Sequence, residues 1–434
     1  MSHPFQRRFL LATMLLCVMV TAAGVTTKSH AQDSEKQWYK GNLHTHSLWS
    51  DGDDFPDMIV RWYVENDYQF LALTDHNVLS EGQRWMSAKA ITRRGGDDVI
   101  KKYHDAMGKL VEIRDRADGE GKEVRLRTFA ECETQFAKPG SFLLMQGEEI
   151  SDKVDGAPLH LNATNLKRVL TPAGGVSMRE AMRANLRAAK LQANRLKREI
   201  LVHLNHPNFG WAVSAEDLAA VTEERFFEVY NGHPAVNHLG DAEHPSVERI
   251  WDIASTIRTS ALDAPPLFGL ATDDCHYYHG RKGSQPGRGW IMVKSAELTA
   301  DSILKSINAG DFYASSGVEL EHFSFDATTG KIHIEIAAQK GVEFETRFIG
   351  TLKDYDQLAE SDESTIAGKP TMRRVYSEEV GKTFATIKGN SIEFQMTGKE
   401  LFIRATISSD RAHSNPSFEG QLEQAWLQPV VWKN

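Results

Sequence analysis

The stretch Phe70-Leu71-Ala72-Leu73-Thr74-Asp75-His76 passes from an apolar run directly into polar residues. A short apolar run of this kind is typical of a strand buried on both faces of a parallel sheet. The pattern recurs in apolar runs that end near residues 145, 202, 230 and 271. Residues 57–65 and 178–197 lie between such runs and have the composition of helices, the second preceded by a Ser177/Glu180 capping box. This alternation predicts an α/β fold of the parallel-barrel type.

The texture of the sequence changes after residue 318. Alternating apolar and polar residues replace the helical stretches, and Gly-containing turns separate them. Such a pattern is typical of antiparallel strands. The predicted strands lie at 321–326, 331–337, 391–396, 401–407 and 424–431. We therefore predict an α/β domain over residues 37–318, followed by a small antiparallel β-sandwich domain over residues 319–434.

The first 31 residues have the features of an export signal. Arg7 and Arg8 precede an apolar run over residues 9–20, and Ser29-His30-Ala31 fits a cleavage site. We predict a signal peptide at residues 1–31 and a periplasmic or secreted mature protein. A single N-terminal membrane anchor is the alternative; after cleavage no membrane association is expected.

Composition and charge restrict the partners. The chain of 434 residues has a net charge of −9, which argues against nucleic acid as a stable partner. A small phosphorylated substrate is compatible with this charge, because bound metal ions supply a local positive field. None of the three cysteines forms a CxxC motif, so thiolate zinc sites are not expected. The sequence leaves open whether Cys132 and Cys275 form a disulfide, and it makes no prediction of oligomeric state.

Side chains that bind metals follow the predicted strands. In His44-Thr45-His46 the two imidazoles share one face of an extended chain, so both can bind one ion, and Asp51 follows on a loop. Asp274-Cys275-His276 repeats this arrangement. Because the carboxyl ends of barrel strands meet on one face, we expect a single cluster there. Its predicted metal ligands are His44, His46, Asp51, His76, Glu149, His160, His206, Asp274 and His276.

A ligand set of nitrogen and oxygen atoms suits two or three divalent ions, with Mn, Zn or Fe as candidates. Water bound to such ions has a pKa of about 7, so the predicted nucleophile is a metal-bound hydroxide. We predict hydrolysis of a phosphate ester, a monoester or diester of a small metabolite, nucleotide or sugar. The predicted catalytic residues are Asp75, His76 and Asp274, with Asp75 orienting an imidazole or the nucleophile.

Five motifs resemble those of the PHP family, named for polymerase and histidinol phosphatase domains. They are NLHTH at 42–46 with SDG at 50–52, LTDHN at 73–77, GEEIS at 147–151 with His160, NHP at 205–207 and TDDCH at 272–276. The resemblance covers residues 40–318 and implies a distorted seven-stranded β/α barrel that hydrolyses phosphate esters with Mn, Zn or Fe.

The resemblance also implies how the ligands are divided among the ions. One ion is expected at His44, His46 and Asp274, and a second at Asp51 and His76, with Glu149 as a bridge. A third is expected at His160, His206 and His276. Glu149 rather than Glu148 is the predicted ligand of its pair, because it matches the family motif.

Three cations, Arg281, Lys282 and Arg288, follow the last motif and are predicted to bind the phosphate of the substrate, an Arg doing so with two parallel hydrogen bonds. A solvated Gly-rich loop is the alternative. Residues 78–142 form a charged and, by prediction, helical insertion, which is either a lid over the substrate or a surface decoration.

Two other functions stay open on the sequence alone. An amidohydrolase-like barrel uses similar ligands to cleave a non-phosphate ester or an amide. A secreted metal-containing binding protein is the second, but the large ligand set argues against it, because a structural metal site needs far fewer ligands.

Overall fold

The computed structural model describes Met1, residues 36–366 and residues 369–432. The predicted signal peptide therefore lies, apart from Met1, outside the described residues, and export stays a prediction. Among the described residues, no helix combines the length and the apolar character that a membrane crossing requires.

The strands and helices of the described residues are numbered here in chain order. The strands are β1 (Gln37–Asn42), β2 (Phe70–Leu73), β3 (Arg84–Ser87), β4 (Ile113–Asp115), β5 (Lys122–Leu126), β6 (Leu143–Val154), β7 (Ala157–Thr164), β8 (Leu201–Leu204), β9 (Phe226–Asn231), β10 (Phe268–Thr272), β11 (Trp290–Ser295), β12 (Phe312–Ser315), β13 (Leu320–Asp326), β14 (Lys331–Ile336), β15 (Phe344–Leu352), β16 (Ala359–Ile366), β17 (Lys369–Tyr376), β18 (Lys382–Lys388), β19 (Ser391–Gln395), β20 (Glu400–Ala412) and β21 (Leu422–Val430). The helices are α1 (Pro56–Glu65), α2 (Ala88–Gly95), α3 (Val99–Met107), α4 (Phe129–Phe136), α5 (Met178–Leu196), α6 (Ala215–Ala220), α7 (Val247–Ala261) and α8 (Ala300–Ala309).

The strands that precede the predicted motifs lie in one sheet, in the order β10-β9-β8-β7-β6-β2-β1-β11-β12-β21-β20-β15-β18. β1, β2 and β6 are parallel neighbours, and so are β8, β9 and β10. β7 runs antiparallel between these two groups. The mixed α/β class is confirmed, and the carboxyl ends of the six parallel strands meet at one end of the sheet.

Two isolated bridges continue the parallel pairing beyond the strand ends. One joins Thr45 to Cys275, so the segments that follow β1 and β10 come together. There the His46 amide donates to the carbonyl of Cys275 at 3.0 Å. The other bridge joins His76 to Glu149. The backbone that carries four of the predicted site segments is therefore held by hydrogen bonds of its own.

The two helices predicted with bounds begin within one residue of the predicted positions. α1 starts at Pro56, a residue suited to the first helical position because its missing N–H would have no partner there. α5 starts after Ser177, whose hydroxyl accepts from the Glu180 amide at 3.3 Å. The Glu180 carboxylate accepts from the amide of Val176 at 3.3 Å. The predicted cap is present, but its second hydrogen bond goes one residue further upstream than in a capping box.

The C-terminal region is rich in strands, as predicted, and strands are present at all five predicted places. It does not begin a separate sheet, because β12 pairs with β21, with Tyr313 opposite Leu427. A three-stranded sheet, β13-β14-β19, packs on the extended one through Ile334, Phe348 and Ile407. The boundary at residue 318 stays a prediction, since the large sheet runs across it without a break.

The insertion at residues 78–142 is only partly helical. It contains α2, α3 and α4, and also a three-stranded sheet, β3-β5-β4, which the sequence analysis missed. It packs on the loop that follows His46: Phe55 stacks on Tyr103 with ring centroids 3.7 Å apart, and the Trp49 indole donates to the Arg127 carbonyl at 2.8 Å. The insertion thus supports the loop that carries Asp51.

Candidate metal centre

The structure brings all nine predicted ligands together at the carboxyl ends of the parallel strands. His44 and His46 follow β1, Asp51 lies on the next loop, His76 follows β2, Glu149 lies in β6, His160 lies in β7, His206 follows β8, and Asp274 and His276 follow β10. Glu149 and His160 lie within strands rather than at strand ends: Glu149 lies in β6 beyond its parallel pairing with β2, and His160 lies in the middle of the antiparallel β7.

The first group of ligands is centred on Asp274. Its Oδ1 lies 3.2 Å from Nε2 of His44 and 3.1 Å from Nε2 of His46. All three side chains are buried. Asp274 has a φ of 46°, in the left-handed region that Asp enters more readily than most residues. The predicted convergence of His44 and His46 on one carboxylate is present.

The second group is centred on Glu149. Its Oε1 lies 2.9 Å from Nδ1 of His160 and 3.5 Å from Nε2 of His206. The same carboxylate lies 3.4 Å from Nε2 of both His44 and His46. Its Oε2 also lies 2.6 Å from Nδ1 of His76. Glu149 therefore contacts imidazoles from every part of the cluster, in a position suited to a bridging ligand.

The third group is centred on Asp51. Its two oxygens lie 3.4 Å from Nε2 of His76 and 3.4 Å from Nε2 of His276. This differs from the grouping that the family resemblance implied, which placed His276 with His160 and His206. The pairing of the segments after β1 and β10 brings His276 to the Asp51 side, where its ring centroid lies 4.0 Å from that of His46.

The unpaired atoms of the cluster fit divalent ions. Among the described residues, four buried ligand atoms have no hydrogen-bond partner: His44 Nε2, His46 Nδ1, Glu149 Oε2 and His160 Nδ1. A buried polar atom without a partner costs free energy, and several in one place call for a compensating ligand. Imidazole nitrogens mixed with carboxylate oxygens are donors that Zn, Mn and Fe accept.

The electrostatics keep the carboxylates ionised. Burial disfavours the charge on Glu149, but His76, His160 and His44 hold its pKa well below the usual range. Burial acts the same way on Asp274, where His44 and His46 hold the pKa well below the usual range. Both groups are therefore available as anionic ligands across the physiological pH range.

The pKa values of two histidines at the centre, His46 and His76, shift in opposite directions. Burial, together with His276 and His76, lowers the pKa of His46 to about 3, so its imidazole is neutral, as a metal ligand must be. Burial also disfavours a charge on His76, but Glu149 and Asp51 raise its pKa to about 11. Metal binding at His76 must therefore displace a proton.

A layer of polar side chains holds the ligands from behind. The carboxylate of Glu228 accepts from Nδ1 of His44 at 2.7 Å, from the Thr272 hydroxyl at 2.7 Å and from the His206 amide at 2.9 Å. Asn231 donates to Glu228 at 2.7 Å. Glu228 and Asn231 end the apolar run of β9, so the rule that found the ligands also points to them, but the predicted ligand set did not include them.

Asp75 has a different position from the one predicted. Its carboxylate accepts from the amide and hydroxyl of Ser47 at 2.8 and 2.7 Å and from the Ser50 hydroxyl at 2.6 Å. It thereby fixes the loop that carries Asp51. These loop contacts take the place of the predicted contact with an imidazole, because Asp75 and His76, adjacent in an extended chain, point to opposite sides. The predicted contact with the nucleophile stays a prediction.

The three side chains predicted to bind phosphate lie in different surroundings. Arg288 is buried, and its guanidinium donates to the carbonyls of Gly232 at 2.7 Å, Gly283 at 2.8 Å and Asn415 at 3.2 Å. This gives Arg288 a structural role in place of the predicted phosphate contact. Arg281 is exposed and donates to a carbonyl of the insertion, and Lys282 is exposed; for these two residues phosphate binding stays a prediction.

Two alternatives that the sequence left open are resolved by burial and contacts. Glu148 turns away from the cluster, and its carboxylate accepts from the Leu170 amide at 2.5 Å, whereas Glu149 faces the imidazoles. Cys132 and Cys275 are both buried and both free, so they form no disulfide.

Two aromatic side chains at the rim of the centre were not predicted. The ring of Phe209 lies 5.1 Å from that of His206 and 6.1 Å from that of His160. The ring of His233 lies 5.8 Å from that of His276. Phe209 follows the NHP motif by two residues, and His233 follows the end of β9 by two residues. This position separates them from other loop residues only when the strand ends are known.

Comparisons with known proteins give distant matches in structure alone. No protein-family model and no curated protein matches this sequence. One similar structure is a two-domain protein from Bacteroides vulgatus containing a predicted PHP-like metal-dependent phosphoesterase, with 16% identity and a TM-score of 0.40, over 91% of this chain and 95% of the other. A second comes from Bifidobacterium adolescentis and is itself only proposed to be a metal-dependent phosphoesterase, with 12% identity and a TM-score of 0.30, over 56% of this chain and 89% of the other. The first has the family description that the motifs resemble, at a similarity too low to carry any chemistry over to this chain.

Proposed function

We propose that this protein is a metal-dependent phosphoesterase with three divalent ions in the centre. The observation that carries the proposal is that three carboxylates, those of Asp274, Glu149 and Asp51, lie in one cluster and each contact two or more imidazoles. The first ion would be held by His44, His46 and Asp274, the second by His160 and His206, and the third by Asp51, His76 and His276. Glu149 would connect all three.

Neighbouring residues orient the side chains that would hold the ions. Because Nδ1 of His44 donates to Glu228 at 2.7 Å, the lone pair of Nε2 faces the centre, as a ligand requires. Asn205 donates to Oε1 of Glu149 at 2.8 Å and sets the plane of the bridging carboxylate. Bound divalent ions would lower the pKa of a water molecule and stabilise charge on a phosphoryl oxygen.

Three ions, as proposed, would suit a phosphate ester better than an amide. A phosphomonoester presents three non-bridging oxygens that share two negative charges, and three positive centres in one cluster would match it. An amide presents a single carbonyl oxygen, for which one or two ions suffice. The amidohydrolase-like reaction is therefore the second candidate.

The proposal includes two finer features of the fold. The seven strands β1, β2 and β6 to β10 are taken as a distorted barrel closed through the bridge of Thr45 and Cys275, and β13 to β21 as a sandwich on its flank.

Export by residues 1–31 is also part of the proposal. Amino-terminal sequencing of the protein recovered from a periplasmic fraction would test it, since an intact Met1 would contradict cleavage.

The first test is phosphate release from a panel of mono- and diesters. Metal-stripped protein would be assayed with Mn, Zn, Fe or Mg added back, beside His46→Ala and Asp274→Ala and a matched control, His322→Ala, in β13. Metal-dependent release by the parent and the control, lost in the two site variants, supports the proposal. Stoichiometric metal binding without release from any ester would contradict it, and release from amides or carboxylic esters instead would favour the second candidate.

A further inference from the structure

Phe209 and His233 form an aromatic corner at the open rim of the metal centre. Their ring centroids lie 6.3 Å apart and their planes make an angle of 82°. Both side chains are only half-buried. Phe209 lies against His206 and His233 lies against His276, so the corner borders both the Glu149 group and the Asp51 group.

One ring nitrogen of His233 already accepts a hydrogen bond. Its Nδ1 accepts a hydrogen bond of 3.1 Å from the amide of Ala235. In the neutral imidazole the proton is then on Nε2, which makes that atom a donor. The corner therefore offers two π systems and one N–H group beside the metal centre.

The backbone that carries Phe209 is held in an unfavourable conformation. Gly210 and Trp211 have consecutive φ values of 61° and 56°, and a bulky residue rarely adopts a positive φ. Trp211 stacks on His244 with ring centroids 4.0 Å apart and planes at 8°, which holds the turn from its far side. Strain of this kind persists where the surroundings fix a functional geometry. In this turn the ring of Phe209 lies against those of His206 and His160.

The two halves of the corner are also tied to each other. The side chain of Asn208 donates to the carbonyls of Asn237 at 3.2 Å and Pro245 at 2.9 Å. Asn237 in turn donates to the carbonyl of Asn208 at 3.1 Å. The segment before Phe209 and the loop that carries His233 are therefore one unit, and the corner is formed before any ligand arrives.

We infer that Phe209 and His233 are the subsite for the leaving group of the substrate, and that this leaving group carries an aromatic ring. The inference rests on the phosphoesterase function proposed above. Aromatic rings associate best in offset-stacked and edge-to-face arrangements, and two rings at a right angle provide one of each. Nε2 of His233 donates to an oxygen of the ester. A sugar leaving group would need several hydrogen-bonding side chains, whereas this corner has one donor.

The test compares benzyl phosphate with cyclohexylmethyl phosphate, two monoesters of primary alcohols that differ in the aromaticity of the ring. The parent is expected to have the lower KM for benzyl phosphate. Phe209→Leu should raise that KM by about three- to tenfold, the effect of one aromatic pair, and should remove the preference without changing kcat. Phe209→Tyr keeps the ring and should keep the preference. His233→Asn, which keeps a capping side chain, should raise KM for both esters and weaken the preference.

Binding of benzylphosphonate, measured by calorimetry, gives a second readout that does not depend on turnover, and metal content shows that the centre of each variant is intact. Weaker binding to Phe209→Leu than to Phe209→Tyr, at equal metal content, supports the inference. Phosphate release with equal KM for the two esters, unchanged in Phe209→Leu, overturns the inference but leaves the phosphoesterase function standing. Absence of release from every ester of the panel, by a fully metal-loaded parent, overturns both.

Discussion

The carboxylate of Glu228 lies 2.7 Å from Nδ1 of His44, while the other nitrogen of the same ring lies 3.2 Å from Asp274. One imidazole therefore connects a buried supporting carboxylate to the candidate metal centre. Glu228 also accepts from the amide of His206, so a single side chain fixes ligands that come from two different strand ends. Supporting groups of this kind orient a ligand and raise its basicity.

Substitution of Glu228 should therefore weaken metal binding without contacting a metal. In Glu228→Gln the side chain keeps its size but loses its charge, and one of its terminal atoms changes from an acceptor to a donor. We expect the affinity for the most weakly held ion to fall by roughly 10–100-fold, the range typical of such supporting residues. Metal content after dialysis against a graded chelator series would measure it. Glu321→Gln, exposed in β13, is the matched control, and equal metal retention by the two variants would contradict the role of Glu228.

Removal of metal should lower the stability of the fold as well as abolish the activity. Without ions, His44 Nε2, His46 Nδ1, Glu149 Oε2 and His160 Nδ1 are left buried and without a hydrogen bond. A ligand that binds only the folded state stabilises it by about 2.7 kcal/mol at a hundredfold excess over its Kd. We expect chelation to lower Tm by several degrees and Mn or Zn to restore it. In Asp274→Ala the same treatment should have a clearly smaller effect; an equal shift would place the stabilising ions elsewhere.

The sequence is sufficient to predict which side chains cluster, because most of them lie close to a strand end. His44 and His46 can be predicted as a pair since alternate residues of an extended chain share a face. Glu149 could be chosen over Glu148 from its motif, and the structure shows the physical counterpart: Glu148 is used by the Leu170 amide. Each of these predictions depends only on residues that lie a few positions apart along the chain.

The parts that were not predicted depend on contacts between distant segments. The placement of His276 beside Asp51 follows from the bridge of Thr45 and Cys275, which no sequence period encodes. The direction of β7 was missed for another reason: residues 157–164 alternate apolar and polar side chains, which is typical of an antiparallel strand, but they lie among segments that read as a parallel sheet. The strand pairing that opposes Tyr313 to Leu427 joins segments more than a hundred residues apart, so a separate C-terminal domain looks plausible from the sequence alone.

The C-terminal region is joined to the α/β part by a buried ion pair. Arg404 of β20 donates to both oxygens of Asp252 in α7, at 2.7 and 2.8 Å, and to Glu248 at 2.9 Å. Removal of one partner leaves the other charge buried and uncompensated, so Arg404→Ala should cost about 3–5 kcal/mol of unfolding free energy. Urea unfolding would measure this loss.

The double variant Arg404→Met with Asp252→Leu removes Arg404 and one of its two carboxylate partners. Replacement of a buried ion pair by apolar residues of similar size is often close to neutral. We therefore expect the double variant to recover part of the stability that Arg404→Ala loses, while Glu248 keeps only its hydrogen bonds from Thr406 and Trp426. If both variants unfold at the parent's urea midpoint, the ion pair does not hold the two regions together.

Glu224 should make the stability of the protein depend on pH. Its side chain is buried; two amides donate to one carboxylate oxygen, and the other oxygen has no partner among the described residues. Burial raises its pKa to about 8. In an unfolded chain a Glu titrates at about 4.3, so between these values the unfolded state has lost a proton that the folded state keeps. The unfolded state then binds fewer protons, and the free energy of unfolding must fall as pH rises through this range, by about 1.4 kcal/mol per pH unit for this group.

Glu224→Gln keeps the shape of the side chain and removes the titration. The difference in unfolding free energy between the variant and the parent should therefore be small near pH 5 and should grow in favour of the variant up to about pH 8, where it levels off because both states of the parent are then ionised. Urea unfolding of both proteins at several pH values would measure the difference. Glu223→Gln is the control, because it makes the same change at the adjacent residue, whose side chain is exposed. A parent and a Glu224→Gln variant that lose stability in parallel from pH 5 to pH 8 would show that the proton is not held at Glu224.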